Sequence, residues 1–246
     1  MNDIIGLIPA AGQGTRLGLP FPKELWPLPD QEKYVPVALH SVEMLRRAGI
    51  MRIIIVTTPN KPTIMSYFGN GSRFGVEIIY VCQEVFSNQG KSAGLSEALD
   101  CAYPLTELKR VAFVMPDTYV CPRDCFKQLI EAGGNADLVL GLFPTDKPHK
   151  FGMVKTQESK VTEIIDKPSK TDLSLMWGIV LWSSSFSNHL RACMVEDSPD
   201  FATVMNRAIK KKMDVRGIEI VGGKYLDFGT YEDVRRADQF ITSLSD

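Results

Sequence analysis

Residues Leu7–Leu28 read LIPAAGQGTRLGLPFPKELWPL, and the fold is decided by what precedes and follows the proline at position 9. Ile4-Ile5-Gly6-Leu7-Ile8 is a continuous apolar run, the pattern of a strand buried on both faces. Pro9 breaks it into a loop of small residues, Ala10-Ala11-Gly12-Gln13-Gly14-Thr15. Side chains that small let backbone N–H groups close on an anion. Arg16 and Lys23 add two positive charges just downstream. A backbone cradle followed by cations suits a polyphosphate, although a Gly-rich loop after a strand is equally often a tight turn. Two look-alikes fail. The dinucleotide fingerprint G-x-G-x-x-G requires Gly where Leu17 stands, and Gly90-Lys91-Ser92 misses the G-x-x-x-x-G-K-[ST] pattern because position 85 is Val85.

Working outward, 246 residues make one large α/β domain or two small ones, enough to bury roughly 70% of the unfolded surface. With 28 basic and 29 acidic residues the net charge is −1, so no bulk attraction to nucleic acid or anionic lipid is expected. Lys210-Lys211-Lys212, the dense basic run, follows a helical stretch and suits a helix C-terminus. Five cysteines without a C-x-x-C pair read as reduced thiols of a cytoplasmic protein. No apolar run approaches the ~18 residues of a membrane span, and no signal peptide is recognisable.

Strand-like and helix-like segments alternate through the first half. Strands are expected at 4–8, 52–58, 76–81, 111–115 and 137–143, with helices at 35–45, 61–68, 92–103 and 122–132 between them. That alternation predicts a parallel sheet with right-handed crossovers. In the second half, 151–155 and 160–166 are short and close together, which predicts antiparallel pairing. A long apolar strand at 175–182, helices near 184–195 and 200–211, a strand near 213–220 and a final helix from 231 to 244 complete the chain. Thr230 with Asp233 fits a cap at the start of that helix.

Asp117 follows the apolar run VAFVM directly. Ligands of open α/β sheets lie beyond the carboxyl ends of the strands, so a carboxylate there can hold Mg²⁺ against a triphosphate, or simply begin a turn. Further along come Gln83 ahead of Gly90-Lys91-Ser92-Ala93-Gly94, Phe151-Gly152-Met153-Val154, Ile165-Asp166-Lys167-Pro168, Met176-Trp177-Gly178 and Tyr225-Leu226-Asp227-Phe228-Gly229-Thr230.

Taken in this order, these stretches resemble the motifs of the nucleotidyltransferases that join a sugar 1-phosphate to a nucleoside triphosphate. The resemblance runs from residue 4 to about 240, with the loop matching G-x-G-T-R-L and then P-K. It implies an α/β fold, a single Rossmann-like domain with a mixed, mainly parallel central sheet flanked by helices. The nucleotide-binding half would span about 1–145 and the sugar-phosphate half about 146–246.

The resemblance also implies roles. Ala10, Ala11, Gly12, Gly14, Thr15 and Arg16 would bind the nucleotide phosphates, with Gln83, Gly90 and Ser92 at the base and ribose. Arg16, Lys23, Asp117 and Lys167 would be catalytic, and Asp117 and Asp227 would share Mg²⁺. Gly152, Asp166, Lys167, Trp177 and Gly178 would receive the sugar phosphate. Several positions depart from the family. Lys91 stands where Gly is usual, unless Gly90 fills that role. Pro116 precedes Asp117 in place of Gly, Asp166 replaces Glu, Tyr225 replaces Trp, and Met176-Trp177 replaces Asn-Ala. Trp177 can stack on a sugar face or belong to the core, as can Trp182.

The expected substrates are thus an NTP and a sugar 1-phosphate, in a cytoplasmic enzyme with no nucleic-acid or membrane partner. The sugar and homo-oligomerisation are left open, with thymine or uracil favoured as base by family analogy. A cytidylyltransferase of a non-sugar phosphate and an inactive NDP-sugar-binding subunit stand as alternatives. A Rossmann oxidoreductase is disfavoured by Leu17.

Overall fold

The computed structural model describes residues 4–14, 17–30, 33–84 and 94–243. Its strands are β1 (Ile4–Pro9), β2 (Pro27–Asp30), β3 (Lys33–Pro36), β4 (Arg52–Thr57), β5 (Glu77–Cys82), β6 (Arg110–Val114), β7 (Thr118–Cys121), β8 (Leu138–Pro144), β9 (Gly152–Gln157), β10 (Lys160–Asp166), β11 (Leu175–Trp182), β12 (Val215–Glu219) and β13 (Lys224–Asp227). The helices are α1 (Val37–Arg47), α2 (Pro62–Phe68), α3 (Leu95–Cys101), α4 (Tyr103–Thr106), α5 (Cys125–Gly133), α6 (Ser184–Glu196), α7 (Phe201–Lys210) and α8 (Tyr231–Ser243).

Nine strands form one sheet in the order β5-β4-β1-β6-β11-β8-β12-β10-β9. The pairings β5–β4, β4–β1, β1–β6 and β8–β12 are parallel, and β10 and β11 run against the other strands. The sheet is therefore mixed, with most strands pointing one way, as expected. The antiparallel hairpin is β9–β10, with Gly152 opposite Asp166.

The apolar runs make sense because both faces of this sheet are covered. Period-2 alternation sends Ile8, Ile53, Ile55, Ala112 and Val114 to a cluster that also holds Val42 and Leu45 of α1 and Phe126 of α5. The intervening Leu7, Ile54, Val56, Val111 and Phe113 join Leu99 of α3, Phe186 of α6 and Val204 of α7 on the opposite face. Helices α6 and α7 begin at Ser183 and Asp200, whose side chains accept from Phe186 N and Thr203 N.

Two small sheets fall outside the sequence expectations. β2 pairs with β3, and β13 pairs with β7. The helix anticipated at 92–103 begins at Leu95, and its first positions lie outside the described residues. Among the described residues no helix is long and apolar enough to cross a membrane.

Phe113 is fully buried and meets the rings of Trp177, Trp182 and Phe201. Phe113→Ala is expected to cost about 3–5 kcal/mol, measured as the loss of unfolding free energy in urea. A loss below 1 kcal/mol would mean that these rings do not form one packed unit.

Candidate functional site

The parallel strands β1, β4, β5 and β6 end along one edge of the sheet, and a cleft of about 1220 Å³ opens beyond it. Lys23, Gln83, Asp117, Gly152, Asp166, Lys167, Trp177 and Asp227 all line this cleft. Residues spread over most of the chain thus meet in one place.

The β7–β13 ladder is what joins the two aspartates. It sets Asp227 opposite Thr118, and Phe228 N donates to Asp117 O over 3.1 Å. The turn carrying Asp117 is itself pinned, because Ser41 Oγ donates to Met115 O over 2.9 Å and Thr118 Oγ1 to the same oxygen over 3.2 Å. Gly229 completes the arrangement. A Cβ there would lie 2.5 Å from Asp227 Oδ2, so a larger residue would displace the carboxylate from this position.

Asp117 is 3% exposed, and its Oδ2 accepts an ion-paired hydrogen bond from Lys23 Nζ. Its Oδ1 is buried with no hydrogen-bond partner among the described residues. Burial disfavours the charge on Lys23, but the Asp117 carboxylate outweighs it and the ammonium is held above its ordinary pKa. Asp227 is pushed up to about 6, first by burial and then by repulsion from Asp117 and Asp233, with Lys23 only partly offsetting them.

An unsatisfied buried oxygen beside a second, charge-frustrated carboxylate fits a divalent cation. Mg²⁺ commonly takes one or two carboxylates and completes its shell with phosphate and water. Among the described residues no cluster of three or more acidic, His or Cys side chains could hold a metal alone. The two aspartates would therefore need oxygen ligands from a substrate.

On the far wall Lys167 occupies a left-handed backbone conformation, φ 46°. Its N–H is held by Phe151 O at 2.9 Å, and its largely exposed ammonium lies 3.5 Å from Asp166 Oδ2. Strain of this kind concentrates at ligand sites. Trp177 serves both readings open to it, as a cleft wall and as a member of the Phe113–Phe201 ring cluster. Its Nε1 is buried without a partner, and a Cβ on Gly152 would come within 2.2 Å of that nitrogen. Trp182, 1% exposed, is core and donates to Ser187 Oγ over 2.9 Å.

Gln83 N–H donates to Thr57 O at 2.8 Å, which holds this residue at the end of β5 facing the cleft. Ala10 and Ala11 are buried at the end of β1, while Gly12 is exposed and Gly14 has φ 64°. Ala10, Ala11, Gly12, Gly14 and Gly178 are not on the cleft lining. A Cβ on Gly178 would strike the rings of Tyr225 and Phe143. Its role is to admit Tyr225, two residues before Asp227, into the sheet face. Thr15, Arg16, Gly90, Lys91 and Ser92 lie outside the described residues.

Two lysines, Lys150 and Lys61, went unmarked in the sequence, and Glu24 was noted only as part of the Pro22-Lys23-Glu24 cluster. Lys150 Nζ binds both oxygens of Asp233 at 2.7 and 2.8 Å, fastening the start of α8 next to Gly229-Thr230. The expected Thr230–Asp233 cap is present there, with Asp233 N donating to Thr230 Oγ1 at 3.3 Å. The other two, Glu24 and Lys61, form a buried ion pair at 2.7 Å. Glu24 was visible beside Lys23, but nothing in Pro59-Asn60-Lys61-Pro62 marks that lysine as buried.

Comparison with known proteins gives a match to the nucleotidyl transferase family over residues 5–243. The low-salt glycan biosynthesis nucleotidyltransferase of Haloferax volcanii is 28% identical over 96% of this chain and 65% of its own length. A glucose-1-phosphate thymidylyltransferase of Xanthomonas campestris is 26% identical over 99% of this chain and 82% of its own. The fold is shared with a Bacillus anthracis protein assigned as a glucose-1-phosphate thymidylyltransferase, at a TM-score of 0.84 and 24% identity, covering 97% of this chain and 95% of that one.

The raised pKa of Asp227 has a stability consequence in the metal-free protein. A carboxylate at about 6 when folded and near 3.8 when unfolded opposes folding once ionised, so its cost appears as pH rises from about 4 to 6. Asp227→Asn is therefore expected to melt higher than the parent at pH 7.5 in the presence of a chelator, with the gap closing below about pH 4. Equal melting temperatures at pH 7.5 would show that the site imposes no such cost.

Proposed function

We propose, for a chain that belongs to the nucleotidyl transferase family, that its cleft transfers a nucleoside monophosphate from an NTP to a sugar 1-phosphate, releasing pyrophosphate. The observation that carries the reading is the meeting of Lys23, Asp117 and Asp227 with Gly152, Asp166 and Lys167 along one cleft. The named activities of the Xanthomonas and Haloferax relatives support it.

An oxygen of the sugar phosphate attacks the α-phosphorus in line, and the bond to the pyrophosphate oxygen breaks. Positioning and charge stabilisation do most of the work in such a transfer. The small-residue loop at Ala10, Ala11, Gly12 and Gly14 offers its amides to the triphosphate. Lys23, which neutralises Asp117 in the free protein, carries its charge to the α-phosphate as negative charge grows there. Arg16 receives the leaving pyrophosphate. Lys167 orients the acceptor phosphate, and Asp166, across the hairpin from Gly152, accepts from sugar hydroxyls. Gln83 reads the pyrimidine edge, with thymine or uracil favoured. Asp117 and Asp227 would hold Mg²⁺, which when bound supplies a positive charge for the phosphate oxygens.

One observation favours a second acceptor class. The Trp177 indole lies against Gly152, on the wall where the sugar would sit, so a polyol phosphate is the alternative substrate. Pyrophosphate release is the test, with each NTP paired against hexose 1-phosphates and polyol phosphates. Release is expected with dTTP or UTP and a hexose 1-phosphate. Release with CTP and a polyol phosphate would transfer the assignment to the second class, and silence throughout would refute nucleotidyl transfer.

Lys23→Ala removes a charge-assisted contact worth roughly 1.5–3 kcal/mol. Turnover should fall at least tenfold in the same assay, and near-parental turnover would remove Lys23 from the mechanism.

A further inference from the structure

Lys61 stands between β4 and α2 and is only 7% exposed. Its Nζ donates to Glu24 Oε1 over 2.7 Å and to Ala10 O over 3.0 Å. Glu24 is 1% exposed and follows Lys23 on a single 3₁₀ turn, Lys23–Leu25. Successive residues on such a turn point about 120° apart. Glu24 is thus turned into the protein while Lys23 faces the cleft. Ala10, at the start of the small-residue loop, is also held from its own N–H, which donates to Val56 O over 2.7 Å.

Neither Lys61 nor Glu24 lines the cleft, so neither can act on a substrate directly. Glu24 adjoins Lys23, which does line it, and Lys61 holds the carbonyl at the start of the proposed phosphate loop. A trans peptide is planar, with its C=O and N–H pointing in opposite directions. Drawing the Ala10 carbonyl towards Lys61 therefore turns the Ala11 N–H away from Lys61. A buried ion pair is a poor source of stability, because desolvation offsets most of the attraction. Burial indeed pushes the Glu24 carboxyl up despite the neighbouring ammonium, and Glu24 Oε2 is buried with no hydrogen-bond partner among the described residues. The pair is costly for a purely structural tie.

We propose that Lys61 is a positioning residue for the phosphate site: by holding the Ala10 carbonyl and Glu24 on one ammonium, it sets the loop amides and Lys23 at a fixed separation. The proposal rests on the reading of this cleft as a nucleotide phosphate site.

The test compares the parent with Lys61→Met and with the double variant Lys61→Met/Glu24→Met in the full chain. Melting temperature, affinity for inorganic pyrophosphate by calorimetry, and kcat and KM for pyrophosphate release are measured for each. Lys61→Met strands a buried carboxylate and should melt lower. The double variant buries no lone charge and should recover the melting temperature. Its pyrophosphate affinity and kcat should nevertheless stay at least tenfold below the parent.

A double variant that recovers kcat and affinity along with stability overturns the proposal, since Lys61 then only neutralises Glu24. A double variant as unstable as the single one overturns it too, because Lys61 then acts through stability. Should the parent release pyrophosphate with no substrate pair, nucleotidyl transfer fails, and pyrophosphate affinity alone decides. Weakening at least tenfold in the refolded double variant supports positioning, and unchanged affinity contradicts it.

Discussion

Two carboxylates brought together in a mostly buried place repel one another, and the cleft is organised around that repulsion. Asp117 and Asp227 come from distant parts of the chain and are joined by the four-residue ladder β7–β13. One ammonium, from Lys23, neutralises Asp117 and leaves Asp227 with a pKa near 6. Among the described residues the charge balance is incomplete without a ligand. Under the proposed function a cation would satisfy the carboxylates while the triphosphate took over the lysine. Residues that cost stability in the free protein would then become differential binding energy for the nucleotide.

The sheet explains why this charge cluster faces a second set of groups. Parallel strands β5, β4, β1 and β6 end at one edge, as ligand-binding α/β sheets do. Antiparallel β11 is then inserted between β6 and β8, so Trp177 projects into the cleft beside the Asp117 turn. The β9–β10 hairpin pairs with itself and touches β11 through Met153 and Met176. It carries Gly152, Asp166 and Lys167 to the opposite wall. Both sets of groups are thus tied to the nine-stranded sheet, the rigid framework that the proposed in-line transfer would require.

Much of this was legible in the sequence, for definite reasons. RIIIVT, VAFV and LMWGIVLW are strands buried on both faces, and such runs are hard to mistake. The motif order announced Lys23, Asp117, Gly152, Lys167 and Asp227, all of which meet in the cleft. The small sheets were hidden because their strands are four residues long, too short for periodicity to register, and all but β13 carry or adjoin a proline. Gly178 was assigned to the ligand because Met176-Trp177-Gly178 falls where the resembled family has Asn-Ala-Gly, and a glycine inside a strand can equally admit a neighbouring ring. Here it admits Tyr225. Lys61 was invisible for a different reason. Burial of a lysine is decided by a partner distant in sequence, Glu24, and by a backbone carbonyl that no side-chain pattern reports.

In the proposed reaction Asp117 and Asp227 would jointly hold a divalent cation, and the nucleotide would complete its shell. Titration of Mn²⁺ followed by electron paramagnetic resonance, with and without dTTP, tests it most directly in the parent, Asp117→Asn and Asp227→Asn proteins. The predicted result is weak binding to the parent alone, strengthened at least tenfold by dTTP, with that strengthening lost in both variants. Equal Mn²⁺ binding by the parent and the variants in the presence of dTTP would contradict it.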